Sequence, residues 1–383
     1  MFIVACIVSF VLRLEWGIAI SQLPIYVYEL GGSPIEVGLV FTVFAGIMIF
    51  TQPLWGYFSD YLGRRKPFIV LGMMGLSPIF LLMSTQTQVI PLILLRGSTA
   101  LFVGAMVPAT WALVSNLTSY KTLGKRMGFL TSAEMAGFGI GPVLGGLIAD
   151  FFGFNTLWIF VSLLCLAGGL IFLIFGSDPP VLNRDLQKPV FSRGSLKKET
   201  LRKLLILFIV FPLSLMGIAL LGPNRNVYLV RDIGMSRTMV GSLDLIGTFF
   251  STLLQPLAGS FSDKYGRKPL MALSAISLIA GLLTLYLARD FLQTIPSIIL
   301  MTNYNSFQMA ASAYVSDSTK PEERGGSLGF LNAVASVSRS LGAILGGLII
   351  VATSIRAVIL LSIIFPAVSI AIIIFALKEP KKG

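Results

Sequence analysis

The sequence predicts an all-α membrane protein of twelve transmembrane helices, arranged as two pseudo-symmetric bundles of six. Of its 383 residues, 55% are hydrophobic and only 12% are charged, and the mean hydropathy is +0.87. Soluble domains carry about 25% charged residues. The apolar residues fall in runs of roughly 20, the length of a bilayer-spanning helix. In addition, one long stretch of the chain occurs twice, which indicates two copies of one unit.

The repeat is clearest in residues 56–66, which resemble residues 259–269 at an offset of 203. At this offset 14 of the 38 positions from 27 to 64 hold identical residues, among them the consecutive Gln52, Pro53 and Leu54. Such a likeness over one continuous stretch indicates a duplicated supersecondary unit rather than a shared short motif.

Twelve apolar runs predict twelve spans, each ended by charged residues or by glycine and proline. The spans cover residues 3–28, 36–56, 67–85, 89–114, 127–149, 153–176, 204–230, 238–258, 269–288, 292–315, 327–350 and 355–377. Residues 177–203 contain three prolines and many basic residues, so they form a linker. We therefore predict an N-terminal bundle (1–176), a cytoplasmic linker (177–203) and a C-terminal bundle (204–383).

Basic residues predict the orientation. With a cytoplasmic N-terminus, 21 of the 29 lysines and arginines lie in cytoplasmic segments, five lie outside and three lie within spans. This bias places both termini in the cytoplasm of a multi-pass protein of the cell membrane. It also explains the net charge of +12 as membrane topology rather than nucleic-acid binding. No cleavable signal is evident, and Cys6 and Cys165 lie in apolar runs, where small core residues are favoured over a disulfide.

Charged side chains within the spans mark a polar path, because an ion at mid-bilayer costs at least about 2.5–3.5 kcal/mol. The third, sixth, ninth and twelfth spans have no such charge, so we expect them to face lipid. The remaining spans carry the candidates for the substrate cavity: Arg13, Trp16, Gln22, Tyr26, Asn224, Arg225, Asn303, Gln308 and Arg339.

The first span has two charges that point in different directions. Glu15, Gln22 and Tyr26 share one helix face. Arg13 lies about 200° from Glu15 around an ideal helix. We therefore expect one of the two to pair with a neighbouring helix.

The doubled loop has a physical logic. Its aspartate can accept hydrogen bonds from the N-terminal amides of a nearby helix, and its glycines permit a tight turn and close approach. The loop residues are Gly56, Asp60, Gly63, Arg64 and Arg65 in the first copy and Gly259, Asp263, Gly266, Arg267 and Lys268 in the second. With twelve spans, this pattern resembles the major facilitator superfamily of secondary transporters over the whole chain. Tyr61 departs from that family's usual basic residue. The resemblance implies a gate that stabilises one state of alternating access; topology residues alone are the alternative.

A glycine-rich stretch in the fifth span resembles the motif of the family's drug:proton antiporter branch. Its residues are Gly137, Gly141, Pro142, Gly145 and Gly146. Small residues four apart let helices approach backbone to backbone, and proline bends a helix. Ordinary small-residue packing is the alternative explanation.

Proton coupling is implied by a further resemblance, because Arg96 in the fourth span matches the family's membrane-buried arginine motif in part. The chain has no histidine, so a carboxylate must carry the proton. The candidates for proton coupling are Glu15, Arg96, Glu134 and Asp244. A static pair of Glu134 with Arg96 is the alternative.

These features predict a proton-coupled exporter of amphipathic small molecules that works by rocker-switch alternating access. The alternative is a carrier of a defined, possibly anionic, metabolite or nutrient that uses the intramembrane arginines. A channel or a sensor fits the doubled gate loop less well. We expect no enzymatic activity, cofactor, metal site or nucleic-acid partner, since no such residue set is present. The expected partners are the substrate, protons and the lipid bilayer, and the expected state is a monomer.

Overall fold

The computed structural model describes residues 1–117, 122–178 and 198–380. Within these ranges the protein is helical and has no strand. The helices are α1 (Phe2–Glu29), α2 (Pro34–Leu62), α3 (Lys66–Met83), α4 (Val89–Asn116), α5 (Leu123–Phe175), α6 (Lys198–Ala219), α7 (Asn224–Arg231), α8 (Arg237–Tyr265), α9 (Arg267–Leu287), α10 (Phe291–Thr302), α11 (Tyr304–Ser318), α12 (Pro321–Ala352) and α13 (Ile355–Phe375).

The helix boundaries differ from the predicted spans in three places. The predicted fifth and sixth spans follow each other without a loop in α5, interrupted only at Gly153, where φ is 81°. The seventh span is divided into α6 and α7 near Gly222, and the tenth into α10 and α11 at Asn303. Nine helical segments of the described chain are long and apolar enough to cross a bilayer.

The chain forms two compact units. Unit 1 comprises Met1–Asn183 and Asn226–Leu245, and unit 2 comprises Arg184–Arg225 and Ile246–Gly383. The predicted linker lies largely in residues 179–197, outside the described residues, and its last residues already belong to α6. The segment Asn226–Leu245, which follows the linker in sequence, packs with the first five helices.

Local sequence signals set the ends of α2. Ser33 caps its N-terminus in a reciprocal capping box with Glu36, whose carboxylate accepts the Ser33 backbone amide at 2.8 Å. At the other end Gly63 adopts a left-handed conformation with φ of 60°, which a glycine adopts without steric cost. The turn that the loop glycine was expected to permit is therefore present.

The glycines of α5 bring it against α1 backbone to backbone, as the motif predicted. A Cβ at Gly137 would clash with the carbonyl oxygen of Phe10, and one at Gly141 would clash with that of Leu14. From the other side, a Cβ at Gly17 of α1 would lie 2.6 Å from the carbonyl oxygen of Phe138. This seam sets the position of the first helix against α5, and five of the candidate site residues lie on that helix.

We predict that Gly141→Ala lowers the free energy of unfolding of the detergent-solubilised protein by about 1–3 kcal/mol, because the added methyl overpacks the seam. Gly46→Ala in α2 is the matched control, since a Cβ there meets nothing within 4 Å and the gain in helix propensity is the same. Equal melting temperatures for the two variants would contradict the packing role of Gly141.

Candidate functional site

The most deeply buried charges of unit 1 form an ion pair between α1 and α4. Arg96 Nη1 lies 3.4 Å from Glu15 Oε1, and the two side chains are only 2% and 1% exposed. The Arg96 guanidinium also lies 4.2 Å above the ring of Phe44. Because an isolated buried charge is costly, each side chain of the pair offsets part of the cost of burying the other.

A second pair joins α1 to α5. Arg13 Nη2 lies 3.3 Å from Glu134 Oε2, and Trp111 donates from Nε1 to Glu134 Oε1 at 3.2 Å. Glu134 is only 5% exposed, but Arg13 and Trp111 are 21% and 39% exposed. This network therefore reaches an open surface, in contrast to the sealed pair of Glu15 and Arg96.

Aromatic rings connect the two pairs. Arg13 lies 4.7 Å from the ring centroid of Trp16, and Trp16 makes an edge contact with Phe44 at 6.1 Å. At the other end of this chain of contacts, the guanidinium of Arg96 lies over the ring of Phe44. A cation over an aromatic face is attracted to the ring's negative quadrupole, so the two arginines are stabilised by neighbouring rings as well as by glutamates.

These contacts decide between the pairings that the sequence left open. Arg13 and Glu15 both pair with neighbouring helices, whereas their opposite directions on α1 predicted this for only one of them. The pairing of Arg96 with Glu134 is wrong: Arg96 contacts Glu15 instead, and Glu134 contacts Arg13. The reason is that α1 lies between α4 and α5, so each flanking helix meets a different face of it.

Two predicted cavity residues of α1 are instead packed in the interior. Gln22 is fully buried and donates from Nε2 to the Pro142 carbonyl oxygen at 3.3 Å. Tyr26 is 4% exposed and donates its hydroxyl to the Gln86 carbonyl oxygen at 2.7 Å. Neither lines an open cavity in this structure, because the close approach of α1 and α5 covers that face.

Unit 2 brings together two of the predicted cavity residues. Arg339 of α12 donates from Nη2 to Oε1 of Gln308 on α11 at 3.1 Å. Asn303 has a structural role, since it ends α10 and its side chain accepts from the Ser306 hydroxyl at 3.0 Å. Asn305, one residue from the start of α11, donates to Ser251 Oγ of α8 at 2.7 Å.

The other candidates lie apart from these clusters. Asn224 and Arg225 form the beginning of α7, where Asn224 is buried. Asp244 is half-buried in α8. All three make contacts, and their predicted roles in substrate binding and proton coupling remain predictions.

The gate loops have the same contacts in both units, but at shifted positions. Arg65 binds Ser59 Oγ and Asp60, and Arg267 binds Ser262 Oγ and Asp263. The structural equivalent of Arg267 is thus Arg65, and not Arg64, which the constant offset aligns with it. The first loop contains one additional residue after its glycine.

The amides that begin α3 and α9 are bound by carboxylates that the sequence analysis did not select. Asp178 accepts from the amides of Arg65 and Lys66 at 2.6 and 2.7 Å. Glu379 accepts from the amides of Arg267 and Lys268. A carboxylate is favourable at a helix N-terminus. Each acid directly precedes a proline, just after the last helix of its repeat. This acid–proline pair is the sequence signal that would have identified both acids.

The loop glycines are not equivalent. Gly63 and Gly266 have φ angles of 60° and 107°, as a tight turn requires. Gly56 and Gly259 were expected to permit close approach, but a Cβ there would meet nothing nearer than 3.9 and 4.0 Å. In this structure close packing does not explain them.

We predict that Arg65→Gln lowers the free energy of unfolding by about 1 kcal/mol, because it removes the hydrogen bonds to Ser59 and Asp60. Arg64→Gln, the same change one residue earlier, is the control and leaves stability nearly unchanged. Thermal unfolding in detergent measures both. A larger loss in the Arg64 variant would show that the constant offset is the correct alignment.

At the opposite end of unit 1, Arg237 and Thr238 at the start of α8 bind acids from two helices. Asp150 of α5 accepts from the Thr238 amide at 2.8 Å and from its hydroxyl at 2.7 Å. Arg237 Nε donates to Glu29 of α1 at 3.1 Å, and its Nη1 donates to the Ala149 carbonyl oxygen at 3.1 Å. Close by, a Cβ at Gly146 would lie 2.6 Å from Thr238 Cα, so the last glycine of the α5 motif lets α8 approach.

Hydrogen bonding controls the pKa of Asp150. Burial by itself raises this pKa, but the hydrogen bonds from Thr238 and Arg237 and the charge of Arg237 outweigh it, so the pKa of Asp150 is lowered below its ordinary value. The carboxylate is therefore ionised throughout the neutral range and remains so into mildly acidic solution.

We predict that Asp150→Asn lowers the free energy of unfolding at pH 7 by about 0.5–1 kcal/mol, allowing for the exposure of the site. Because the folded-state pKa is depressed, the stabilisation is complete above the unfolded value of about 3.9 and is lost as the pH falls below it. Melting temperatures from pH 7 to pH 3 should therefore converge for wild type and variant. Asp232→Asn, another acid of the same region, is the control, and a constant difference across this range would contradict the assignment.

Among residues 1–117, 122–178 and 198–380, no group of three or more histidines, cysteines or acids is placed to hold a metal ion. The site residues that sequence reasoning missed are Phe44 and Trp111, which contact the two arginine–glutamate pairs of unit 1. Both lie in apolar spans, and an aromatic residue there carries no signal in the sequence that it contacts a charge.

Comparison with known proteins agrees with this architecture. The sequence model of the Major Facilitator Superfamily matches residues 5–223 and 207–383. An uncharacterized MFS-type transporter of Methanocaldococcus jannaschii is 25% identical over 350 residues, 88% of each chain. The multidrug resistance protein MdtG of Citrobacter koseri is 26% identical over 304 residues, 76% of this chain and 72% of that protein. The crystal structure of a nucleoside transporter NupG mutant superimposes with a TM-score of 0.79 at 16% identity, covering 98% of this chain and all of that one.

Proposed function

Because the chain belongs to the Major Facilitator Superfamily and is therefore a multi-pass membrane transporter, we propose that it exports amphipathic small molecules in exchange for protons. The proposal includes rocker-switch alternating access by a monomer of the cell membrane, with both termini in the cytoplasm. Similarity to proteins named for multidrug resistance supports efflux. The observation that carries the proton coupling is the network of Arg13, Glu134 and Trp111.

Glu134 is the residue that we propose carries the proton. Its carboxylate is buried, but the Arg13 and Trp111 that contact it are partly exposed, so a proton has a short path to it. The ionised carboxylate binds Arg13, and the protonated one releases it. Since Arg13 also covers the ring of Trp16, this release changes the aromatic surface offered to a hydrophobic substrate.

The sealed pair has a different role in this proposal. Glu15 and Arg96 are almost inaccessible, and breaking a buried pair typically costs about 3–5 kcal/mol. We assign them to holding α1 against α4 while the Glu134 network changes its protonation. If Glu134 is not required for coupling, Glu15 is the second candidate for proton transfer.

A carrier of a defined anionic metabolite is the second candidate function. It is favoured by Arg339, whose contact in unit 2 is a neutral amide. Strong saturable transport of one anion, without response to other amphipaths, would distinguish this function from efflux of many compounds.

We predict that proteoliposomes containing wild-type protein move protons when lipophilic amphipaths are added, and that Glu134→Gln abolishes this flux by removing the titrating group. Internal pH, followed with a trapped dye, is the measurement. Glu323→Gln, the same change at the cytoplasmic end of α12, is the control.

The outcomes separate the candidates. If proton flux persists in the Glu134 variant, Glu15 or Asp244 carries the proton instead. Absence of proton flux from wild type with every amphipath of the panel would refute coupled drug export and favour the anionic-metabolite carrier.

A further inference from the structure

Five polar side chains form a stripe across three helices of unit 2, and three of the five are exposed. It consists of Ser251 and Gln255 on α8, Asn305 and Gln308 on α11, and Arg339 on α12, connected by hydrogen bonds from Asn305 and Gln255 to Ser251 and from Arg339 to Gln308. Four of these five side chains are neutral. The stripe therefore carries one charge, and that charge is positive.

Arg339 differs from the arginines of unit 1 in its surroundings. Arg13 and Arg96 each contact a glutamate at 3.3–3.4 Å, whereas within the described residues Arg339 contacts Oε1 of Gln308 and no carboxylate. It lies near the middle of α12 and is exposed. Because an unpaired charge facing lipid at this depth is expensive, the exposed guanidinium indicates a polar cavity on this side of the helix.

Tyr304 adds a second hydrogen-bond donor beside Arg339. Its hydroxyl is buried, with the residue 4% exposed, and has no hydrogen-bond partner within the described residues. It precedes Gln308, the hydrogen-bond partner of Arg339, by one helical turn on α11. A buried hydroxyl without a partner is unfavourable, so Tyr304 is a donor that a hydrogen-bond acceptor entering beside it would satisfy.

We propose that Arg339, Gln308 and Tyr304 bind a carboxylate or another monoanionic group on the transported amphipath. A carboxylate accepts two parallel hydrogen bonds from a guanidinium, and the Tyr304 hydroxyl and the Gln308 amide supply further donors. The inference rests on the proposed transport of amphipaths and narrows their class to anionic or zwitterionic molecules. In unit 1, by contrast, the charges of Arg13 and Arg96 are balanced by glutamates.

A matched pair of fluorescent amphipaths tests this assignment. Dansylglycine has a carboxylate where dansylglycinamide has a neutral amide, and the two are otherwise alike. Binding to the full-length protein in lipid nanodiscs, corrected with empty nanodiscs, should favour the acid. We predict that Arg339→Gln weakens acid binding about tenfold, as loss of a charge-assisted hydrogen bond does, and changes amide binding less than about twofold. Arg339→Lys should retain part of the preference.

Arg356→Gln is the control, since it removes one positive charge from the start of α13 and should leave both affinities unchanged. Equal binding of acid and amide by wild type would overturn the anion site but leave amphipath transport intact. Failure of wild type to bind either compound would count against both proposals.

Discussion

The high cost of a charge inside the bilayer governs the arrangement of unit 1. Each of its two intramembrane arginines is balanced by a glutamate, and both pairs include a residue of α1. One pair connects this helix to α4 and the other to α5. Charge pairing thus fixes the rotation of α1, while the contacts of Gly17, Gly137 and Gly141 fix its distance from α5. The two constraints are independent, and together they leave α1 a single position.

A related constraint acts at the helix ends, where the first backbone amides have no partner within their own helix. Within the part of the chain that the structure describes, an acid from another segment binds these amides at three helices: Asp178 at α3, Glu379 at α9 and Asp150 at α8. Each acid therefore caps a helix and at the same time attaches it to a distant part of the chain. In both gate loops the expected loop aspartate binds an arginine side chain, and the amides are bound by these more distant acids.

Sequence periodicity and composition were sufficient for the helical membrane fold, because hydrophobic length and a long repeat are properties of the chain itself. Details that depend on tertiary contact were not accessible in this way. The fifth and sixth predicted spans meet without a loop at the non-helical backbone of Gly153, and the tenth span divides at Asn303. The partner of Arg96 could not be chosen between Glu15 and Glu134 without knowing which helices flank α1. A single additional residue in the first gate loop changed the alignment of its arginines.

The gate loops are repeated in the two halves of the chain, whereas the intramembrane charges are not. The gate loop, its arginine and its distant acid occur in both units, at offsets between 201 and 203 residues. None of these intramembrane charges is repeated at an offset of 203. The positions 203 residues after Arg13, Glu15, Arg96 and Glu134 hold Met216, Ile218, Ile299 and Val337. The position 203 residues before Arg339 holds Ala136. Because the gate loops are repeated and the intramembrane charges are not, we infer that the two units share the role of the loop and differ in the chemistry of their helices. That division agrees with the balanced arginine–glutamate pairs of unit 1 and the single positive charge on the polar stripe of unit 2.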